Sequence, residues 1–240
     1  MEARLASLMD EIRKTLEMLE ANLPERLDPT AVSPGSKVPF KALLYRESLI
    51  WRMAELCGGA LADFKEERFV SGILLTRAAV ETTAALCYLC GNIAAAVESG
   101  AVGELDDYLM NLMMGAAATA LAVTSKPEDA EASRPLRIDA FLKQAEQEVE
   151  GFSFEYGMLA KYVSPDRAGT TLVYSKQDAE KQVTLFGPNL RISDKTWLAA
   201  LGTLSGALKI FVGSYNRISE LIPALEHPAG AGLTKSSTAS

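Results

Sequence analysis

The run GILLTRAAVETTAALCYLC, residues 72–90, decides the fold, because two charges, Arg77 and Glu81, sit in the middle of an otherwise apolar stretch. At 100° per residue, Val70, Ile73, Leu74, Arg77, Glu81, Ala84 and Tyr88 share one side of a helix. Leu75, Ala79, Thr82, Leu86 and Cys90 fall on another side. A helix apolar on nearly every side is a core helix, and the pattern predicts one over 65–97. A transmembrane span is not expected, since each mid-helix charge would cost about 2.5–3.5 kcal/mol on insertion scales. The two charges are four apart and within reach of each other, in the weaker Arg-before-Glu order. The expectation is a buried ion pair, joined by Tyr88, that fixes how neighbouring helices pack. The alternative is that the pair lines a cleft and holds an anion or a partner group.

The rest of the chain reads outward from this helix. Leu5, Leu8, Ile12, Leu16, Leu19 and Leu23 recur at helical spacing over 2–23. PERLDPTAVSPGSKVP, with four prolines, reads as a surface loop over 24–39. Helices are predicted over 40–64, with a break at Gly58-Gly59, and then over 105–123, 137–150 and 152–163. A loop at 125–135 separates two of them. TTLVYS and KQVTLF flank the polar turn KQDAE and predict a small β-hairpin or extended flap near 169–187. A long last helix, 194–225, starts at a Ser193 cap. Residues 226–240 read as a disordered tail. The fold class is mostly α: a bundle of six or seven helices in a single domain over 1–225, with one β excursion.

Composition narrows the function. With 240 residues, a net charge of −7 and no basic run, the chain lacks the broad positive footprint of a nucleic-acid binder, so a nucleic-acid partner is not expected. Three cysteines in a chain large enough to need no staple point to a reducing compartment. The first twenty residues are charged throughout and offer no signal-like apolar core, so the expected location is cytoplasmic, with no membrane partner. Cys87-x-x-Cys90 lies inside a helix with no second ligand pair, which reads as buried structural thiols. Glu146, Glu150 and Glu155 lack the Glu-x-x-His step of a metal-binding bundle. His227 is the only histidine, which removes zincin and triad chemistry. No Walker or dinucleotide glycine loop is present. No metal and no cofactor is called for.

Met110, Met113 and Met114 lead into GAAATA, and the last helix carries Gly202 and Gly206 four apart. Small residues on one ridge let helices approach closely. That spacing predicts a homodimer through the C-terminal helix, with Gly202 and Gly206 as its ridge and Ile210, Phe211, Tyr215 and Ile218 as its seam core.

RFVSGILLTRAAVETTAALCYL resembles the central helix of a family of uncharacterised bacterial helical proteins, in which an Arg and a Glu four apart interrupt an apolar helix. YGMLAKYVSPDRAGTTLVYS followed by FGPNLR resembles that family's second signature, a Tyr, a helical turn, a His-Pro step and a short extended segment. These proteins are similar to the HEPN superfamily, found among nucleic-acid-cleaving toxins, defence proteins and their non-catalytic relatives. Ser164 stands before Pro165 where the histidine is expected. No arginine is followed four to six residues later by a histidine, and Arg217 to His227 is ten. The resemblance therefore implies a non-catalytic member acting by binding, as a homo-oligomer or with a protein partner, in a defence or toxin-antitoxin-like setting. The alternative it implies is a degenerate nuclease or hydrolase, with no catalytic residue assigned. Its candidate cleft would bring Tyr88, Tyr156, Lys161, Ser164 and Asp166 to Arg77 and Glu81.

Overall fold

The structure, a computed structural model, describes residues 2–32, 35–122 and 138–226. Among these, seven long helices, two helical turns and one hairpin follow in order. They are α1 (Glu2–Glu20), α2 (Pro29–Val32), α3 (Val38–Lys65), α4 (Phe69–Ser99), α5 (Val102–Ala122), α6 (Ile138–Glu148), α7 (Phe152–Val163), α8 (Thr171–Tyr174), β1 (Ser175–Asp178), β2 (Val183–Phe186) and α9 (Asp194–Glu226). The expected mostly helical bundle with a small β flap is what forms. The expected loop at 125–135 and tail from His227 lie outside the described residues, as do the side chains of the small-residue run after Met113.

α4 is the axis. α3, α5, α6, α7 and α9 all pack on it, and α1 closes the far side against α3 and α9. Ile73, Ala79, Val80, Ala84, Leu86, Leu89 and Ile93 are all at most 2% exposed, so the helix is buried around most of its girth as its pattern requires. α4 and α9 are both long and apolar enough to cross a membrane; here they pack against each other.

Local chemistry sets the boundaries. Pro39 lies in the first turn of α3, where its missing N–H costs nothing. The helix then runs through Gly58-Gly59 without the expected break, because Cys57, Ala60 and Leu61 are held in the core. Among its described residues, the 24–39 segment expected as a loop holds the α2 turn, and α3 already begins at Val38. α3 stops at a corner where Glu67 takes φ 55° and Asp63 accepts from Arg68 Nε at 2.7 Å and from the Ser71 hydroxyl. α4 follows at once, and Gly72 lies so close to the Phe64 ring that an added Cβ would meet it at 2.4 Å. It ends at Gly100, φ 75°, whose N–H bonds Ala96 O at 2.9 Å in a left-handed cap.

The hairpin differs in register from its sequence pattern. Thr171–Tyr174 forms a helical turn with Val173 fully buried, and the strand starts only at Ser175. KQD, expected as turn, is strand, and pairs antiparallel with Val183–Phe186. Burial of Val173 outweighs the β preference of a Thr-Thr-Leu-Val run.

The α9 start matches its expected cap, the Ser193 hydroxyl accepting Thr196 N–H at 3.3 Å. Part of its predicted seam core is turned inward. Phe211 and Ile218 are fully buried in the core, and the half-buried Tyr215 donates to Glu47 at 2.5 Å. Gly202 and Gly206 do face outward, with nothing within 4 Å of an added Cβ.

Candidate functional site

α4 presents Arg77 and Glu81 toward α7, which carries Tyr156. α7 is placed there by a turn at Gly151, φ 87°, that only glycine takes without strain. The Glu146 carboxylate accepts Gly151 N–H at 2.9 Å and Ser153 N–H at 2.6 Å, and those backbone bonds hold it below the usual carboxylate range. One of the carboxylates weighed as a metal ligand is therefore a helix cap.

The three side chains form a closed unit. Arg77 Nε lies 3.2 Å from Glu81 Oε1, and Nε and one terminal nitrogen donate to the Tyr156 hydroxyl at 3.1 and 2.6 Å. That hydroxyl donates in turn to Glu81 Oε1 at 2.8 Å, and the guanidinium carbon stands 4.8 Å from the ring centre. Burial, then the Glu81 bond, push the Tyr156 phenol above its ordinary value, so at neutral pH it is a donor and not a base. The pair is not buried as expected: its side chains are 29% and 33% exposed.

The third partner is Tyr156 and not Tyr88. Tyr88 packs between Tyr108 and Phe141, both with ring centres 5.2 Å away. The remaining candidates do not join. Lys161 is exposed and reaches Met158 Sδ at 3.3 Å. Ser164 ends α7, eight residues or about 12 Å along the axis from Tyr156. Asp166 accepts Ala168 and Gly169 N–H within its own turn. Arg77 is not among the lining residues of the five cavities described for the protein. A cleft of about 390 Å³ does open beside Glu81, lined also by Tyr45, Ser48, Arg52 and Thr82, and Arg52 Nε donates to Thr82 Oγ1 at 3.1 Å.

Two features were missed at the sequence level. The first is a more deeply buried ionic cluster. Arg46 and Glu47, with side chains 10% and 13% exposed, bond each other. Arg46 donates to Ser219 at 2.5 Å and lies 4.2 Å from the Tyr215 ring centre. Burial and the Glu47 bond push the Tyr215 phenol up to about 12. The signal for it, adjacent charges within a helical pattern, is weak because neighbours in sequence do not share a helix face.

The second is a groove between α7 and α9. Two cavities of about 350 and 310 Å³ adjoin and share Glu155, Ala199 and Thr203. Gly202 and Gly206 floor the first, and Phe154, 68% exposed, stands by the second. Glu150 and Glu155 lie along it. The Gly202/Gly206 spacing was its one visible sign.

The thiols behave as structural. Cys57, Cys87 and Cys90 are free and buried, and burial pushes them up to about 12, 12 and 11. Among the described residues, no group of three or more His, Cys, Asp or Glu side chains gathers as a metal site would require.

No family model matches this chain, and no curated protein or solved structure matches it either.

Proposed function

We propose that the chain is a non-catalytic, HEPN-like helical module that acts by binding a partner protein in the groove between α7 and α9. The observation that carries this reading is the groove itself. Its floor is bare of side chains at Gly202 and Gly206, which leaves room for a helix to approach the α9 backbone closely. Its wall is largely apolar, and its edge carries Glu150 and Glu155 against the single Lys195, so the occupant would be an amphipathic helix that is basic where it passes the two glutamates. The HEPN-like part rests on the Arg and Glu of the central helix and on Tyr156, which meets them.

The Arg77–Glu81–Tyr156 unit supports binding over catalysis. Arg77 Nε and one terminal nitrogen, Glu81 Oε1 and the Tyr156 hydroxyl are engaged with one another, and the unit ties α7, one wall of the groove, to the core. Proton transfer at neutral pH would want an imidazole or a poised acid there. A nuclease assay tests the reading. Single-stranded and structured RNA should survive incubation with purified protein at physiological salt. Cleavage that disappears in an Arg77→Ala/Ser164→Ala variant would overturn it in favour of a degenerate nuclease.

A further inference from the structure

We infer that the β1–β2 hairpin is a self-association arm, pairing through its β2 edge with the same edge of a second copy of this chain. A two-stranded hairpin that nothing covers is marginal in water, and among the described elements the short α8 turn makes the main packing contact with it. Yet it exposes Val183 and Leu185 by 46% and 47% and Phe186 by 80%, and Tyr174 of α8 beside it is 45% exposed.

The two edges differ. β1, SKQD, carries Lys176 and Asp178, the charges that blunt an edge against pairing. β2, VTLF, carries none.

Hydrogen-bond phase then fixes the register. Gly187 N–H bonds Tyr174 O at 3.0 Å, which makes 174–187 a bonded pair. Bonded and non-bonded pairs alternate in an antiparallel ladder. Lys176–Leu185 and Asp178–Val183 are therefore bonded pairs, and the N–H and C=O of Thr184 and Phe186 point away from β1. A two-fold axis through Thr184 pairs the middle of that edge. Thr184 exchanges both bonds with Thr184 of the second copy, and the ladder ends where Phe186 comes opposite Gln182 of the second copy, which lies outside the strand with φ 52°. Val183 stands against Leu185 of the second copy, and Leu185 against its Val183. These are the close, non-bonded pairs on one face, so a four-residue strand gives one continuous apolar stripe across two hairpins. The strand is self-complementary under a two-fold operation, as an isologous interface requires. Its small size makes the dimer weak and concentration-dependent.

Sedimentation velocity on the full chain, from low micromolar to submillimolar concentration, tests this. Wild type should pass from monomer to dimer. Thr184→Pro removes an outward N–H without touching the β1 ladder, and Val183→Lys sets a charge against leucine; each should weaken the dimer about tenfold or more. Val183→Lys/Leu185→Glu places opposite charges across the axis and should restore it. A wild type that stays monomeric throughout overturns the inference. So does a dimer indifferent to Thr184→Pro, which would put the seam elsewhere.

Discussion

Arg77 and Arg46 make similar bonds in different surroundings, and the difference sets what each is worth. Each guanidinium lies near a tyrosine ring and pairs with a glutamate that the same tyrosine also bonds. Arg77 and Glu81 keep about a third of their side-chain surface in water, so truncation leaves a carboxylate that water can reach. Arg77→Ala should cost about 1 kcal/mol, well short of the roughly 3–5 kcal/mol that stranding a buried charge would take. Arg46→Ala does strand one, because Glu47 is 13% exposed, and should cost about 3 kcal/mol or more. Urea titrations of the two variants check the order; equal losses would contradict it. The sequence made Arg77 and Glu81 conspicuous and left Arg46 and Glu47 unremarked. Apolar neighbours flag a charge, whereas an Arg-Glu step in a mixed helix looks like a solvated face. Nor could local spacing choose Tyr156 over Tyr88, since Tyr156 is brought in by α7 from 75 residues beyond Glu81.

Among the elements, helix contacts follow from which glycines have company. Gly72 has none to spare: a methyl there would drive into the buried Phe64 ring and loosen the α3–α4 corner. Gly72→Ala should destabilise by about 2 kcal/mol through overpacking. Gly206→Ala meets nothing and removes a poor helix former, so it should be neutral or stabilising by up to about 1 kcal/mol. Thermal melts separate the cases, at roughly 2–4 °C per kcal/mol for a chain of this size; a loss at Gly206 would show that the groove is filled. The elements most legible in advance were those with explicit punctuation. α7 occupies the predicted 152–163 because Gly151 opens it and Ser164-Pro165 closes it. The hairpin was displaced because Val173 is drawn into the core as a helical turn, and α3 ignored its Gly-Gly step because both flanks are packed.

For the whole molecule, the buried thiols and phenols set an alkaline limit. Cys57, Cys87, Cys90 and Tyr215 hold their protons more tightly folded than unfolded. Their contribution is complete below about pH 9 and is lost as pH rises through about 9–12. Each pH unit over which one such group ionises only in the unfolded chain removes about 1.4 kcal/mol. The urea midpoint should therefore fall steeply between pH 9 and pH 11, and the thiols should resist alkylation until unfolding; a flat profile would contradict their burial. As proposed, the chain works through the α7–α9 groove and not through the cleft beside Glu81. In-cell crosslinking from a photoreactive residue at Phe154, beside the groove, and separately at Ser48, in the cleft, distinguishes the two. One discrete protein adduct is expected from Phe154, lost when Gly206→Trp fills the groove, and none from Ser48. An adduct from Ser48 with none from Phe154 would refute the groove.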